Sequence, residues 1–194
     1  MGAARWHELG AVVRLQVELD RIKENESSRY RDELIRPVER LHVAPAGVLA
    51  PVGEAFVVDV HHATHPHSRS NGTNHLSIGF TGHYEAMQAR FGAHLAVGIA
   101  GESVIVERAG RTSLADLGTE LLFELPGGRS LIVARPAVMH PCAPFTRFCL
   151  RESQPPAKRL KSGLQFLDEG TRGFKVMPAG EGELTAGVRL YARL

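Results

Sequence analysis

The stretch SLIVARPAVMHPCAPF, residues 130–145, joins the most strand-like run of the chain to a cysteine bracketed by prolines. Ser130 to Val138 is rich in β-branched and aliphatic residues, which suit a pleated, half-buried strand. Pro141 and Pro144 stiffen the backbone on either side of Cys142, so neither a strand nor a helix continues through it. A rigid loop at a strand end is a usual place for a working side chain, because the scaffold fixes it while its tip stays accessible.

Outward from this run the pattern stays β-rich. Toward the N-terminus, Glu120 to Glu124 and Val104 to Val106 read as strands, punctuated by Leu117-Gly118 and Pro126-Gly127-Gly128. Phe56 to Val60 and Val38 to Val43 read as two more, the second ending in the turn cluster Ala44-Pro45-Ala46-Gly47. In residues 11–19, AVVRLQVEL, the apolar positions Val13, Leu15, Val17 and Leu19 alternate with others, as on one face of a strand. Lys23 to Arg31 is a polar loop. Toward the C-terminus, Arg172 to Met177 and Leu184 to Tyr191 flank the turn Pro178-Ala179-Gly180-Glu181-Gly182. Two helices are predicted. Thr81 caps one running to Arg90, with Tyr84, Met87 and Phe91 at helical spacing and Gly92 beyond. Ala157 to Glu169 is the other, with Leu160, Leu164 and Leu167 on one face. Short strands without strand–helix alternation argue against a doubly wound α/β fold. They favour a mainly β barrel or folded sheet that closes to remove its edges.

The 194 residues suffice for one ordinary domain with a real core. Hydrophobic residues make up 43% and charged residues 23%, as in a globular protein, and no apolar run approaches the ~20 residues of a membrane span. The opening residues lack the apolar stretch of a signal peptide. Two cysteines, Cys142 and Cys149, allow at most one bridge, so a reducing compartment, the cytoplasm, is expected. The formal net charge is +2, yet residues 135–161 hold six basic side chains against Glu152 alone. Such a patch attracts phosphate or carboxylate. It is too short and too poor in aromatics for nucleic acid.

That patch surrounds Cys142. A thiolate is both nucleophile and metal ligand, and cations favour it. His140, Arg147 and the basic start of the Ala157 helix (Lys158, Arg159, Lys161) are the candidate cations. Positive charges at a helix N-terminus oppose its dipole unless an anion docks there. Cys149, between Phe148 and Leu150, reads as core.

Four ordered features are similar to the MOSC family, the domain named for the C-terminus of molybdenum cofactor sulfurase. They are Gly101-Glu102-Ser103-Val104 leading into a strand, and Leu117-Gly118-Thr119-Glu120-Leu121 opening another. A strand then ends in Pro141-Cys142, and the segments Gly170–Val176 and Glu181–Gly187 resemble the family's closing hairpin. The likeness covers roughly residues 38–194, with 1–37 as an N-terminal strand and loop extension of a single MOSC-like domain.

The resemblance implies a MOSC-type β-barrel with a few peripheral helices. It also implies a cysteine that carries sulfur or ligates molybdenum, in sulfur transfer or in molybdenum-dependent reduction of N-hydroxylated compounds. Cys142 is then the catalytic and metal-ligating residue, and Glu102, His75, Arg147 and Arg172 the cofactor-binding ones. The implied cofactor is the molybdenum cofactor, and the wider family is also associated with pyridoxal phosphate. The expected partner is a small anionic ligand or cofactor, with no nucleic acid and no membrane. Ser103, Val188 and Met139 depart from the family's usual asparagine, aspartate and arginine. Those departures leave open a non-catalytic binding module for a small anion, or an interaction domain with a decayed site. The family's Gly-Asp-Arg-His stretch is replaced by His61-His62-Ala63-Thr64-His65-Pro66-His67, with His75 beyond it. Its spacing matches no established zinc signature. A polar loop at the pocket rim is expected instead, where a histidine or Asn74 touches an anion.

Overall fold

The computed structural model describes residues 5–23, 29–68 and 75–194. In chain order the elements begin with β1 (Trp6–Glu18), β2 (Ile35–Val38), β3 (Arg40–Ala44), β4 (Gly47–Val52), β5 (Ala55–Val58) and β6 (Leu76–Phe80). Then come α1 (Thr81–Phe91), β7 (Val104–Val106), α2 (Leu114–Leu117), β8 (Glu120–Leu125) and β9 (Arg129–Val138). The chain finishes with α3 (Ala143–Leu150), α4 (Ala157–Leu167), β10 (Phe174–Pro178), β11 (Gly182–Thr185) and β12 (Arg189–Arg193).

The chain is mainly β and forms a closed barrel, as the short-strand pattern and the resemblance led one to expect. Seven strands follow one another around it as β1, β12, β8, β9, β10, β6 and β7, and β7 returns to β1. Every pairing is antiparallel except β6 with β7, where Ile78 faces Val104 and Phe80 faces Val106. β1 and β12 close the ring, with Trp6 opposite Arg193 and Ala11 opposite Arg189. β2 pairs with β1 beyond the ring. A second, four-stranded sheet runs β11-β3-β4-β5. Among the described residues no helix is long and apolar enough to cross a membrane.

Strand alternation sorts the apolar residues into two cores. Val104 and Val106 point into the barrel with Ile78, Phe80, Phe123 and Phe174. Ile105, between them, points outward and packs with Tyr84, Met87, Phe145, Cys149 and Leu167 beneath the helices. Both faces of the lower end of β1 are therefore covered, which explains why Gln16 and Glu18 are buried beside Leu15 and Val17.

Several elements differ from the sequence reading. The register of β1 against β7 shifts between Val12 and Arg14. Val12 takes the inward place and Val13 is 43% exposed, contrary to the simple alternation. The run Val38 to Val43 divides at Glu39 into β2 and β3. Leu184 to Tyr191 is likewise two strands: Gly187 (φ +87°) turns the chain from β11 in the small sheet to β12 in the barrel. Thr81 is the first residue of α1 rather than its cap. Its Oγ1 accepts the Arg108 N–H at 3.0 Å and donates to Arg108 O at 3.1 Å, tying the helix start to the segment after β7. β4 and β6 had not been read as strands, nor α3 as a helix. Much of the polar loop between Lys23 and Arg31 lies outside the described residues.

Candidate functional site

Cys142 is half-buried, and it ends one element and begins the next. Its backbone is extended (φ −124°, ψ 158°) and it is the N-cap of α3. Pro144 sits in the first turn, where a missing N–H costs nothing. The Thr146 N–H and hydroxyl both donate to Cys142 O, at 3.0 and 2.9 Å, and so lock the thiol-bearing residue to its helix. Cys142 packs against the outer core beside Phe145 and Tyr30.

Beneath the thiol lies a set of buried charges on the outer wall of the barrel. Arg172 is only 2% exposed. Its Nη2 donates to Ala100 O at 3.1 Å and its guanidinium lies 5.2 Å from the centre of the Phe145 ring. Burial disfavours its charge, but the anionic forms of Tyr30, Cys142, Glu102 and Glu18 nearby outweigh that and raise its pKa. Glu102 is fully buried, and Tyr84 OH donates to its Oε2. Its carboxyl fits between two glycines. A Cβ on Gly79 would come within 2.8 Å of Glu102 Oε1, and one on Gly173 (φ +96°) within 2.9 Å of Glu102 Cγ. Desolvation raises the Glu102 pKa, with Tyr84 pulling the other way.

Glu18 completes the set from β1. Desolvation, eased by His61, pushes its pKa up to about 7. Lys23 shifts oppositely, its pKa lowered by burial and by Arg172, with Glu18, Cys142 and Glu102 favouring its charge. Tyr30 lies against Phe145 and Phe148, with ring centres 4.9 and 5.0 Å away, and donates its hydroxyl to Ile99 O at 2.7 Å. Among the described residues, Arg172 Nε and Glu102 Oε1 are buried without a hydrogen-bond partner.

Of the residues expected from sequence, Cys142, Glu102 and Arg172 share one electrostatic neighbourhood. Arg147 lines a neighbouring cleft instead, with Tyr30, His94 and Phe148. His75 Nδ1 donates to Pro45 O at the β3–β4 turn; burial first, and the nearby His75 second, lower the pKa of His62. The cations expected around the thiol are arranged differently. His140 is largely exposed and meets Asp168 at 3.1 Å. The start of α4 lies by the far end of α3, where Arg159 pairs with Glu152 at 2.8 Å and Gly163 abuts Thr146 and Leu150. Anionic Cys142 instead favours the charged forms of buried Arg172 and half-buried Lys23.

The histidine segment folds back on β1. His61 Nδ1 is 3.0 Å from Asp59 Oδ1, and Asp59 Oδ2 accepts the Glu18 N–H at 2.7 Å. Burial works against charging His61, but Asp59 and Glu18 outweigh it and raise its pKa. His67 Nδ1 meets Asp20 at 2.8 Å, and Arg21 donates to His67 O. Among the described residues no three His, Cys, Asp or Glu side chains converge as a metal site. Asn74 lies outside the described residues.

Sequence reasoning missed Glu18, Lys23, Tyr30 and Tyr84. Tyr84 had been read as the apolar face of α1. Glu18 looked like the wet side of an amphipathic strand, and nothing local announces that β1 is covered on both faces.

No family model matches the chain, and neither does any curated protein. Solved structures do. The YuaD protein from Bacillus subtilis matches over 98% of this chain and 100% of its own, at 13% identity and a TM-score of 0.56. A structure titled only as a hypothetical protein matches over 96% of this chain and 68% of its own, at 12% identity and a TM-score of 0.54. At such identities the likeness establishes the fold alone.

Proposed function

We propose that the chain is a stand-alone MOSC-type domain whose Cys142 thiolate carries sulfur or ligates molybdenum. The observation that carries this reading is a half-buried thiol at a helix start, within electrostatic reach of buried Arg172 and half-buried Lys23. Three of the segments that resemble the family lie together: Glu102 abuts Gly173, and the Met139 N–H donates to Gly173 O at 3.0 Å, three residues before Cys142.

As a sulfur carrier, the Cys142 thiolate attacks the outer sulfur of a donor persulfide. The donor S–S bond breaks, the donor leaves as a thiolate, and Cys142 keeps the sulfur as its own persulfide. Arg172 and Lys23 hold the negative charge on the reacting sulfur. The molybdenum cofactor implied by the resemblance fits these residues, because Cys142 offers a soft donor and Arg172 Nε is buried without a partner among the described residues. Cys142 Sγ would ligate the metal and Arg172 would hold an anionic part of the cofactor. Bound, that cofactor supplies a two-electron redox centre suited to reducing an N-hydroxylated compound.

Incubation with glutathione persulfide followed by intact-mass analysis tests the carrier reading. Wild-type protein gains the mass of one sulfur atom and Cys142→Ser does not; gain at Cys149, or none, refutes it. Elemental analysis for molybdenum, with a search for copurifying pterin, tests the cofactor reading separately. A second reading, a binding module for a small anion, is favoured by the same unpartnered Arg172 Nε. It predicts anion binding that Cys142→Ser leaves intact and no persulfide.

A further inference from the structure

We propose that the cleft along α3 is a binding site for a small aromatic carboxylate, separate from the Cys142 site. The cleft has a volume of about 470 Å³, and Tyr30, His94, Arg147, Phe148 and Arg151 are among the residues that line it. Arg147, in the last turn of α3, and Arg151, its left-handed C-cap (φ +56°), both line the cleft.

Three observations point to a ligand. First, two nitrogens in the lining, Arg147 Nε and His94 Nε2, are buried and have no hydrogen-bond partner among the described residues. A buried polar nitrogen without a partner is costly, and two in one cleft, of which Arg147 Nε is a donor, leave a polar demand that the protein itself does not meet. Second, the charge suits an anion. Of the two carboxylates in the lining, Glu152 is neutralised by Arg159 at 2.8 Å, so Arg147 and Arg151 outweigh the remaining Asp32. Third, the walls are aromatic. Phe148 lies 5.0 Å from Tyr30 and 6.0 Å from His94, ring centre to ring centre, so a flat apolar body packs where they meet. A guanidinium fork matches the two oxygens of a carboxylate better than a lone ammonium does. One flat ring joined to one carboxylate satisfies all three.

The cleft borders the thiol site through Tyr30, whose other neighbour, Phe145, lies beneath Arg172. The inference does not depend on what Cys142 does.

The probe is benzoate, compared with acetate and inorganic phosphate by calorimetry and by aromatic chemical-shift titration. Benzoate is expected to saturate, with acetate and phosphate weaker by about ten-fold or more, one aromatic contact's worth of affinity. Arg147→Met should weaken benzoate by about ten-fold or more, and Arg147→Lys by a similar factor, because the fork is lost in both. Arg147→Met should melt no lower than wild type, since it removes an unpaired buried donor. Cys142→Ser should leave benzoate affinity unchanged. Benzoate no tighter than acetate, a preference for phosphate, or wild-type affinity in Arg147→Lys would each overturn the proposal. Loss of benzoate binding in Cys142→Ser would assign the ligand to the thiol site instead.

Discussion

Replacing Glu18 by glutamine should stabilise the protein in mild alkali and leave it nearly unchanged in acid. Glu18 is buried and its pKa is pushed from 4.5 to about 7. The folded state therefore binds its proton more tightly than the unfolded state does. The stability linked to that proton is fully present below pH 4.5 and is lost as pH rises through 7. At ~1.4 kcal/mol per pKa unit, the ionised carboxylate costs about 3 kcal/mol by pH 8. Glutamine keeps the shape without the charge, so the variant should gain up to that amount at pH 8 and almost nothing at pH 4. Urea unfolding of both proteins at a series of pH values measures the difference directly. His83 contributes an opposite slope in the same region, but equally to both proteins, so it cancels in the comparison. His61 does not cancel, because its raised pKa rests partly on Glu18. The midpoint of the difference curve thus belongs to the pair. A difference that does not change with pH, or a variant less stable than wild type at pH 8, would refute the burial argument for Glu18.

Further outcomes follow from single features. His83 is buried with Nε2 accepting the Thr112 N–H at 3.0 Å, and burial pushes its pKa down to about 4. Its share of stability is lost as pH falls from 6.5 toward 4, by about 3 kcal/mol in all, and His83→Gln should flatten that acid limb of the urea series. Cys149 is 1% exposed and its thiol is pushed up to about 12 by burial, so brief treatment with iodoacetamide at neutral pH should label Cys142 and spare Cys149. Equal labelling by mass spectrometry would contradict this. Gly173→Ala should cost more than ~2 kcal/mol, because its Cβ would meet Ile78 O at 2.8 Å, whereas Gly127→Ala, with positive φ but open space, should cost only ~1 kcal/mol. His65→Ala with His67→Ala should shift stability by no more than ~0.5–1 kcal/mol, since the His67–Asp20 pair that is lost is largely exposed, and a chelator should not change the melt.

The sequence carried the barrel in its short apolar runs, and the thiol in its proline bracket. It hid what depends on long-range covering. α3 escaped because Pro141 and Pro144 read as stoppers, although a proline in the first turn is compatible with a helix. The phase of β1 was misread because a register shift cannot be seen until β7 supplies the partner. Arg172 was found only through its motif. That it is buried, and that Glu18 and Lys23 join it, depends on helices from distant parts of the chain lying over one stretch of wall. The basic run around Cys142 misled for the same reason: α4 puts its positive start at the opposite end of α3.

Closure of the ring by β1 against β12 has a kinetic consequence. β1 finds that neighbour only after Arg189 to Arg193 have been made. Until then β1 presents an unsatisfied edge and the barrel interior has a gap along its length. Loop-closure entropy has to be met before this pairing can repay it, so assembly is slow for the chain's size. During that interval the nascent chain is a natural client for chaperones that shield exposed strands. Ribosome-stalled chains ending before residue 189 should be protease-sensitive from Trp6 to Ala11, the part of β1 that pairs with β12, and chains extended well past Arg193 should not.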